Sequence, residues 1–237
     1  MAVFAVVPVK RLSVSKRRLS GVLNSQERRL LTLAMLEDVL TALKSSTTVQ
    51  EIVVVSNDLN VQDVADKFGV SYFSVDQAGL NLAIEEATKW CIRNHADSVL
   101  VLPADIPLVS AQDIDEIVAL GSEDKSVVLS PSTDGGTNAL FKCPPNLMPA
   151  RFGIGSSAKH AKEAHNKGVC VKLHCSVGIA TDIDSSEDLK KIFEVENNTV
   201  SKRVLEQIGW TTGDERCIKP LTRQVKSRSF VAQKVRK

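Results

Sequence analysis

Three features of the sequence predict an α/β fold built on a mostly parallel sheet. Apolar runs of strand length alternate with segments of helical period through most of the 237 residues. The runs are apolar at consecutive positions, the pattern of strands covered on both faces by helices. No internal repeat or low-complexity linker divides the chain. Residues 1–198 therefore read as one domain, followed by a helical and basic extension over 199–237.

Each element has its own signal. "AVFAVV" (2–7) reads as a buried first strand. A helix is expected after Ser25, with Leu30, Leu33, Leu36, Leu40 and Leu43 as its apolar stripe. "EIVVVS" (51–56) is a second strand, and "VQDVADKFG" a short helix stopped by Gly69. "VSYFSV" is a third strand, and a helix from Asn81 to about Asn94 leads to "SVLVLP", the most strand-like run. A helix at about 111–120 precedes "SVVLSP" and, across "STDGGT", "NALFKC", a pair close enough for a hairpin or for irregular neighbours. A small helix follows "FGIGSS", "VCVKLHC" is the last strand, and "DIDSSEDLKKIF" starts a helix with an acidic N-terminus.

Composition narrows the class. A chain 43% hydrophobic and 24% charged, with no run long enough to span a bilayer, is an ordinary globular protein expected in the cytoplasm. The five cysteines are widely spaced and form no zinc pattern, so free, mostly buried thiols are expected. Cys170 and Cys175, an odd number of residues apart, are expected on opposite faces of a strand. Seven of the 30 basic residues and none of the 28 acids lie in 219–237, so the remainder is net acidic. That tail has one aromatic, Phe230, and no stacking repeat, which argues against nucleic-acid binding.

The chemistry gathers at strand ends. After the first strand comes "PVKRLSVSKRRL", with five cations (Lys10, Arg11, Lys16, Arg17, Arg18) and no glycine before Gly21. Such a loop suits a polyphosphate neutralised by side chains, most of all Lys10, Lys16 and Arg18. "LVLPADIPLV" puts Asp105 just past a central strand, where open α/β sheets bind ligands. In "TDIDSSEDL", Asp182 and Asp184 at i, i+2 share one face of an extended segment. With Asp105 opposite, they suit a hard cation such as Mg²⁺. Ser185 to Glu187 read instead as a helix start. The glycine loops "SPSTDGGTNAL" and "RFGIGSSAKH" allow close backbone approach, and Ser156 and Ser157 open a helix whose free N–H groups favour an anion. His160, one turn into that helix, reads as packing or surface rather than catalytic. Asn81, beside Gly79 at a helix entrance, can pair with a base or ribose, with capping as the default.

In motif order, "PVKRLSVSKRRL", "GLNLAI", "LPADIPLV", "DGGTNAL", "FGIGSSAKH" and "TDIDSSEDL" resemble the 2-phospho-L-lactate guanylyltransferase family of coenzyme F420 biosynthesis, over about residues 1–195. The resemblance implies a single Rossmann-like domain of GT-A-like nucleotidyltransferase fold. It implies transfer of GMP from GTP to 2-phospho-L-lactate, or to phosphoenolpyruvate as in bacterial relatives, with release of pyrophosphate. Asp105 and Lys16 would be catalytic, and Asp105, Asp182 and Asp184 would hold Mg²⁺. Lys10 and Arg18 would bind the triphosphate, with Gly79 and Asn81 near the nucleoside. Thr137, Gly153 and Ser156 would hold the acceptor's carboxylate and phosphate. A homodimer is expected. The competing expectations are a nucleotidyltransferase for 3-phosphoglycerate, sugar phosphates or a molybdopterin, a nucleotide-sugar glycosyltransferase, and a nucleotide-binding module without turnover.

Overall fold

A computed structural model describes residues 1–75, 79–196 and 198–211. The strands are β1 (Val3–Pro8), β2 (Val49–Ser56), β3 (Ser71–Ser74), β4 (Ser98–Val101), β5 (Ser126–Pro131), β6 (Thr137–Cys143) and β7 (Val171–Leu173). They form one sheet in the order β3-β2-β1-β4-β6-β5-β7. β6 runs antiparallel to both neighbours, and every other pairing is parallel. The continuous apolar runs are explained by burial on both faces. Val3, Ala5 and Val7 of β1 join one core cluster while Phe4 and Val6 join the other.

The helices are α1 (Ser25–Ser45), α2 (Leu59–Phe68), α3 (Leu80–Arg93), α4 (Ala111–Leu120), α5 (Ser156–Asn166), α6 (Val177–Ala180), α7 (Ser186–Glu194) and α8 (Val200–Gln207). α1 departs from its expected single stripe, since Leu30 is 44% exposed. The helix is instead buried on two sides. Leu36, Val39, Leu40 and Leu43 face the sheet, whereas Leu31 and Met35 meet Leu19, Leu189, Ile192, Leu205 and Trp210 in a separate cluster. α8 thus packs on the body of the domain, and the carboxylate of buried Asp38 in α1 accepts the N–H groups of Val200 (2.6 Å) and Ser201 (2.9 Å). The basic tail and Cys217 lie outside the described residues. The last strand is short, and Cys170 and Cys175 flank it as exposed thiols while Cys91 and Cys143 are buried. The opposite-face expectation fails because both lie beyond the strand's ends. No helix among the described residues is long and apolar enough to cross a membrane.

β1 leads through α1 to β2 on one side, while β4 lies on the other, so the strand order reverses between β1 and β4. Open α/β sheets form their ligand crevice beyond the carboxyl ends of such a pair. Reversal of β6 brings its first residues, Thr137 and Asn138, to the same edge.

Two carboxylates fasten the helices to the domain, Asp115 at the opposite edge of the sheet and Asp38 at α8. Asp115 of α4 accepts hydrogen bonds from the Ser46, Thr47 and Thr48 hydroxyls and from the Thr47 N–H, fastening the turn between α1 and β2. Burial opposes its charge, but the Ser46 and Thr48 hydroxyls prevail and hold it down at about 2. The stabilisation is present above pH 4 and lost as pH falls through the folded value. Asp115→Asn should therefore cost about 1 kcal/mol at pH 7, discounted for solvent screening, and nearly nothing at pH 2, measured by urea melts. Asp38→Ala should cost about 2–3 kcal/mol, because two N–H groups and the Ser201 hydroxyl lose their acceptor. Faster proteolysis near residue 200 should accompany that loss.

Candidate active site

The loop after β1 crosses the sheet edge through two short 3-10 turns, Leu12–Val14 and Arg17–Gly21. Leu12 and Leu19 are buried and anchor it from below. From the side, Asp58 accepts the Leu12 N–H (3.2 Å) while capping α2, and Asn57 accepts from Arg11 Nε (3.1 Å). Between the turns Lys16 has a left-handed backbone, φ 50° and ψ 40°. This conformation is uncommon outside glycine, and it turns the side chain inward.

Lys16 Nζ donates to Asp105 Oδ2 and to Asp184 Oδ1, each at 2.7 Å. Its side chain is 5% exposed, against 34% for Asp105 and 42% for Asp184. Burial alone pulls the lysine pKa down, but the two carboxylates overcome it and raise it. Burial pushes Asp105 up, and the ammonium, with help from Lys10, more than reverses this. Arg18 stands 3.9 Å from Asp184. Asp182 takes no part in the Lys16 bridge. Burial raises its pKa first, and the charge of Asp105 adds to it; the Asn138 amide lies 3.5 Å away. Among the described residues no group of three or more His, Cys, Asp or Glu side chains could by itself hold a metal ion.

These residues line a cleft with two chambers sharing Pro8, Val9, Lys10, Val14 and Leu80. One, about 370 Å³, holds Lys10, Lys16, Arg17, Arg18, Asp105 and Asp184, with Phe152 across from them. The other, about 440 Å³, is walled by Val55, Val75 and Ala83, with Ser56, Asn57 and Gly79 as its polar rim. Gly79 takes φ 130° at the entrance to α3. Gly79 itself stands at the cap of α3, so the capping default does not hold for Asn81. Its amide pairs with both backbone groups of Phe152, at 2.7 and 3.1 Å.

A second cluster adjoins the cleft. Thr137 and Ser156, 6% and 1% exposed, face each other, the Ser156 hydroxyl donating to Thr137 Oγ1 at 2.9 Å. The α5 N-terminus is less open than the sequence suggests. The N–H of Ser156 goes to Gly153 O and that of Ser157 to Gly135 O. Gly153 has φ 122°, closed to most L-residues. His160 is fully buried, as a packing histidine should be.

The pattern of "Guanylyl transferase CofC like" proteins matches residues 3–228. The chain belongs to that family. Its enzyme class is accordingly that of the nucleotidyltransferases. The match extends past residue 195, where the sequence motifs end. The chain is 38% identical over 193 residues to a phosphoenolpyruvate guanylyltransferase of Rubrobacter xylanophilus, covering 81% of this chain and 94% of that one. It is 34% identical over 205 residues to a 2-phospho-L-lactate guanylyltransferase of Methanocaldococcus vulcanius, covering 86% and 90%. A 3-phospho-D-glycerate guanylyltransferase of Colwellia psychrerythraea is 32% identical over 185 residues, covering 78% and 88%. In fold, the guanylyltransferase-family chain is similar to a nucleotide-diphospho-sugar transferase of Desulfovibrio desulfuricans. That structure shows a TM-score of 0.71 and 15% identity, over 88% of this chain and 96% of that one. A nucleotidyl transferase of Methanothermobacter has a TM-score of 0.61 and 16% identity, over 87% and 99%.

In this guanylyltransferase-family cleft, Lys10, Lys16, Arg18, Asp105 and Asp184 converge on one chamber, and Gly79 borders the other. Asp182 adjoins through Asp105. Thr137, Gly153 and Ser156 form the neighbouring cluster, and Asn81 serves it by holding Phe152. Sequence reasoning missed Phe152, Asn138 and the anchor Asp58. Phe152 opens the motif "FGIGSSAKH" and Asn138 lies within "DGGTNAL", but neither motif marks what its side chain does.

Lys16→Met should lower stability by about 2 kcal/mol at pH 7, since it leaves two neighbouring carboxylates without their shared cation. Asp105 is depressed and Lys16 raised, so the bridge contributes above about pH 4 and is lost below it, or as pH rises through the raised lysine value. Denaturant melts of the two proteins should therefore converge at low pH.

Proposed function

We propose that the chain transfers GMP from GTP to a small phosphorylated carboxylic acid, 2-phospho-L-lactate or phosphoenolpyruvate, and releases pyrophosphate. The observation that carries this reading is the cationic loop bound to Asp105, past the end of β4, and to Asp184, before α7, in a guanylyltransferase-family cleft. Relatives at 32–38% identity are named for three acceptors, all phosphorylated carboxylic acids, which supports the class more strongly than any one member.

The acceptor's phosphate oxygen is already ionised near neutral pH, so it needs no protein base. It attacks the α-phosphorus of GTP. A new P–O bond forms there as the bond to the β-phosphate bridging oxygen breaks, and pyrophosphate leaves with that electron pair. The protein's work is to bring two anions together in line. Lys10, Lys16 and Arg18 would neutralise the triphosphate. The apolar chamber between Val55, Val75 and Ala83 has the size and rim for a nucleoside, with Gly79 letting it approach backbone. Thr137, Gly153 and Ser156 would receive the acceptor.

Asp105, Asp182 and Asp184 fit Mg²⁺. They offer only hard oxygen donors, and burial and the Asp105 charge leave Asp182 short of compensation. Mg²⁺ binds through one or two carboxylates together with phosphates and water, so a complete protein cage is not required. When bound, it would screen phosphate charge and favour the leaving pyrophosphate.

Pyrophosphate release should be measured with four nucleoside triphosphates against 2-phospho-L-lactate, phosphoenolpyruvate and 3-phosphoglycerate in Mg²⁺. GTP with one of the phosphorylated acids should turn over best, and silence throughout would refute the proposal. Asp105→Asn should lower kcat by about 10²–10³-fold with an unchanged circular dichroism spectrum. Undiminished pyrophosphate release by that variant would remove Asp105 from the metal site.

A further inference from the structure

The two glycine loops, 132–137 and 151–157, are joined by a chain of hydrogen bonds whose direction is fixed at one end. The Arg151 N–H can only donate, and it donates to His160 Nε2 at 2.8 Å. A neutral imidazole accepting at Nε2 carries its proton on Nδ1, which faces Thr137 Oγ1 at 3.1 Å. Thr137 Oγ1 therefore accepts from His160, and it also accepts from the Ser156 hydroxyl. Both lone pairs of that oxygen are taken. The Ser157 hydroxyl gives its proton to Gly136 O, leaving Ser157 Oγ, 3.3 Å from Thr137, as the acceptor for the Thr137 proton.

The ring is held neutral as well as oriented. It is 0% exposed, packs edge-on against Phe152 at 5.0 Å, and has its pKa pushed down to about 4 by burial and by the buried Lys142 ammonium. Thr137 begins the reversed strand, one residue from Asn138, whose amide reaches toward Asp182.

We propose that His160 is a positioning residue for the acceptor: by donating to Thr137 Oγ1 it forces the threonine hydroxyl to act as a hydrogen-bond donor toward the acceptor's anionic oxygen. The inference rests on the proposed function, which gives Thr137 to the acceptor site. Threonine hydroxyls can donate or accept, and an acceptor-oriented hydroxyl would repel an anion. Two incoming hydrogen bonds also polarise the outgoing one. An arriving carboxylate or phosphate oxygen would take the place of Ser157 Oγ as the recipient of that proton.

Two substitutions separate this role from simple support of the Arg151 loop. His160→Asn sets an amide N–H near the Nδ1 position and keeps the bond to Thr137, but loses the acceptor for Arg151. His160→Gln reaches the Nε2 position and keeps Arg151, but loses the donor to Thr137. Steady-state KM should be measured separately for GTP and for phosphoenolpyruvate or 2-phospho-L-lactate, whichever the wild type uses. His160→Gln should raise the acceptor KM about tenfold or more with the GTP KM unchanged, and His160→Asn should raise it clearly less. Thr137→Val should reproduce the His160→Gln effect, and adding His160→Gln to it should change the acceptor KM no further. An equal or larger effect in His160→Asn, or an unchanged acceptor KM in Thr137→Val, would overturn the inference even if the histidine variants fold poorly. A wild-type protein silent with every acceptor would instead defeat the proposed function, and this inference with it.

Discussion

A single ammonium group fastens the two sides of the cleft. Lys16 Nζ binds Asp105 and Asp184, which lie 89 and 168 residues further along the chain. The loops after β1 and β4 and the segment between α6 and α7 are thereby fixed at a common distance. The charges are also held part-way between water and the interior. The lysine is nearly fully covered, while each carboxylate remains about one-third or more open to the cleft. A fully buried triad would spend its Coulomb energy on desolvation, and a fully exposed one would be screened. The intermediate burial gives an ion pair strong enough to organise the apo cleft, with carboxylate oxygens still accessible to a ligand.

The far side of the cleft is organised differently, by side chains that bind backbone groups. Lys142, 0% exposed on the reversed strand, donates to Met148 O at 3.1 Å. Glu85 accepts the Ala150 N–H at 2.6 Å, His160 that of Arg151, and Asn81 that of Phe152. Four side chains from β6, α3 and α5 thus take hold of main-chain groups at residues 148 to 152. A loop with no ladder of its own has its polar groups satisfied from outside, as buried backbone requires. The aromatic ring of Phe152 is held against the cleft as a result. Such a loop gains its shape from the scaffold rather than from its own sequence.

This difference explains what could be read from the sequence. The β1, β2 and β4 strands and Asp105 at the end of β4 were legible because continuous apolar runs and strand-end position carry their own signal. The hairpin of β5 and β6 was legible and forms, but nothing local showed that β6 also inserts antiparallel beside β4. The cations were visible as a group, but nothing local marked Lys16 as the buried one among five. That follows from tertiary distance alone. Asn81 looked like a cap because it stands at a helix entrance, yet its partner is 71 residues away. His160 reads as a packing residue on any local criterion. Its two polar contacts appear only when the 132–137 and 151–157 loops meet.

The absence of glycine from the loop after β1 has a physical reason in the same geometry. A glycine-rich turn presents backbone N–H groups to phosphates and accepts left-handed torsions at no steric cost. Here the left-handed position is filled by Lys16, which costs on the order of 1 kcal/mol relative to glycine. Glycine would remove that strain together with the ammonium that spans Asp105 and Asp184. The cost is recovered through the ion pairs and through the anchors Leu12, Leu19 and Asp58, which over-determine the loop's path. A side-chain cation also differs from a backbone cradle in what it can do next. Backbone N–H groups are fixed in place, whereas an ammonium on a flexible stem can turn between a carboxylate and a phosphate oxygen without moving the main chain.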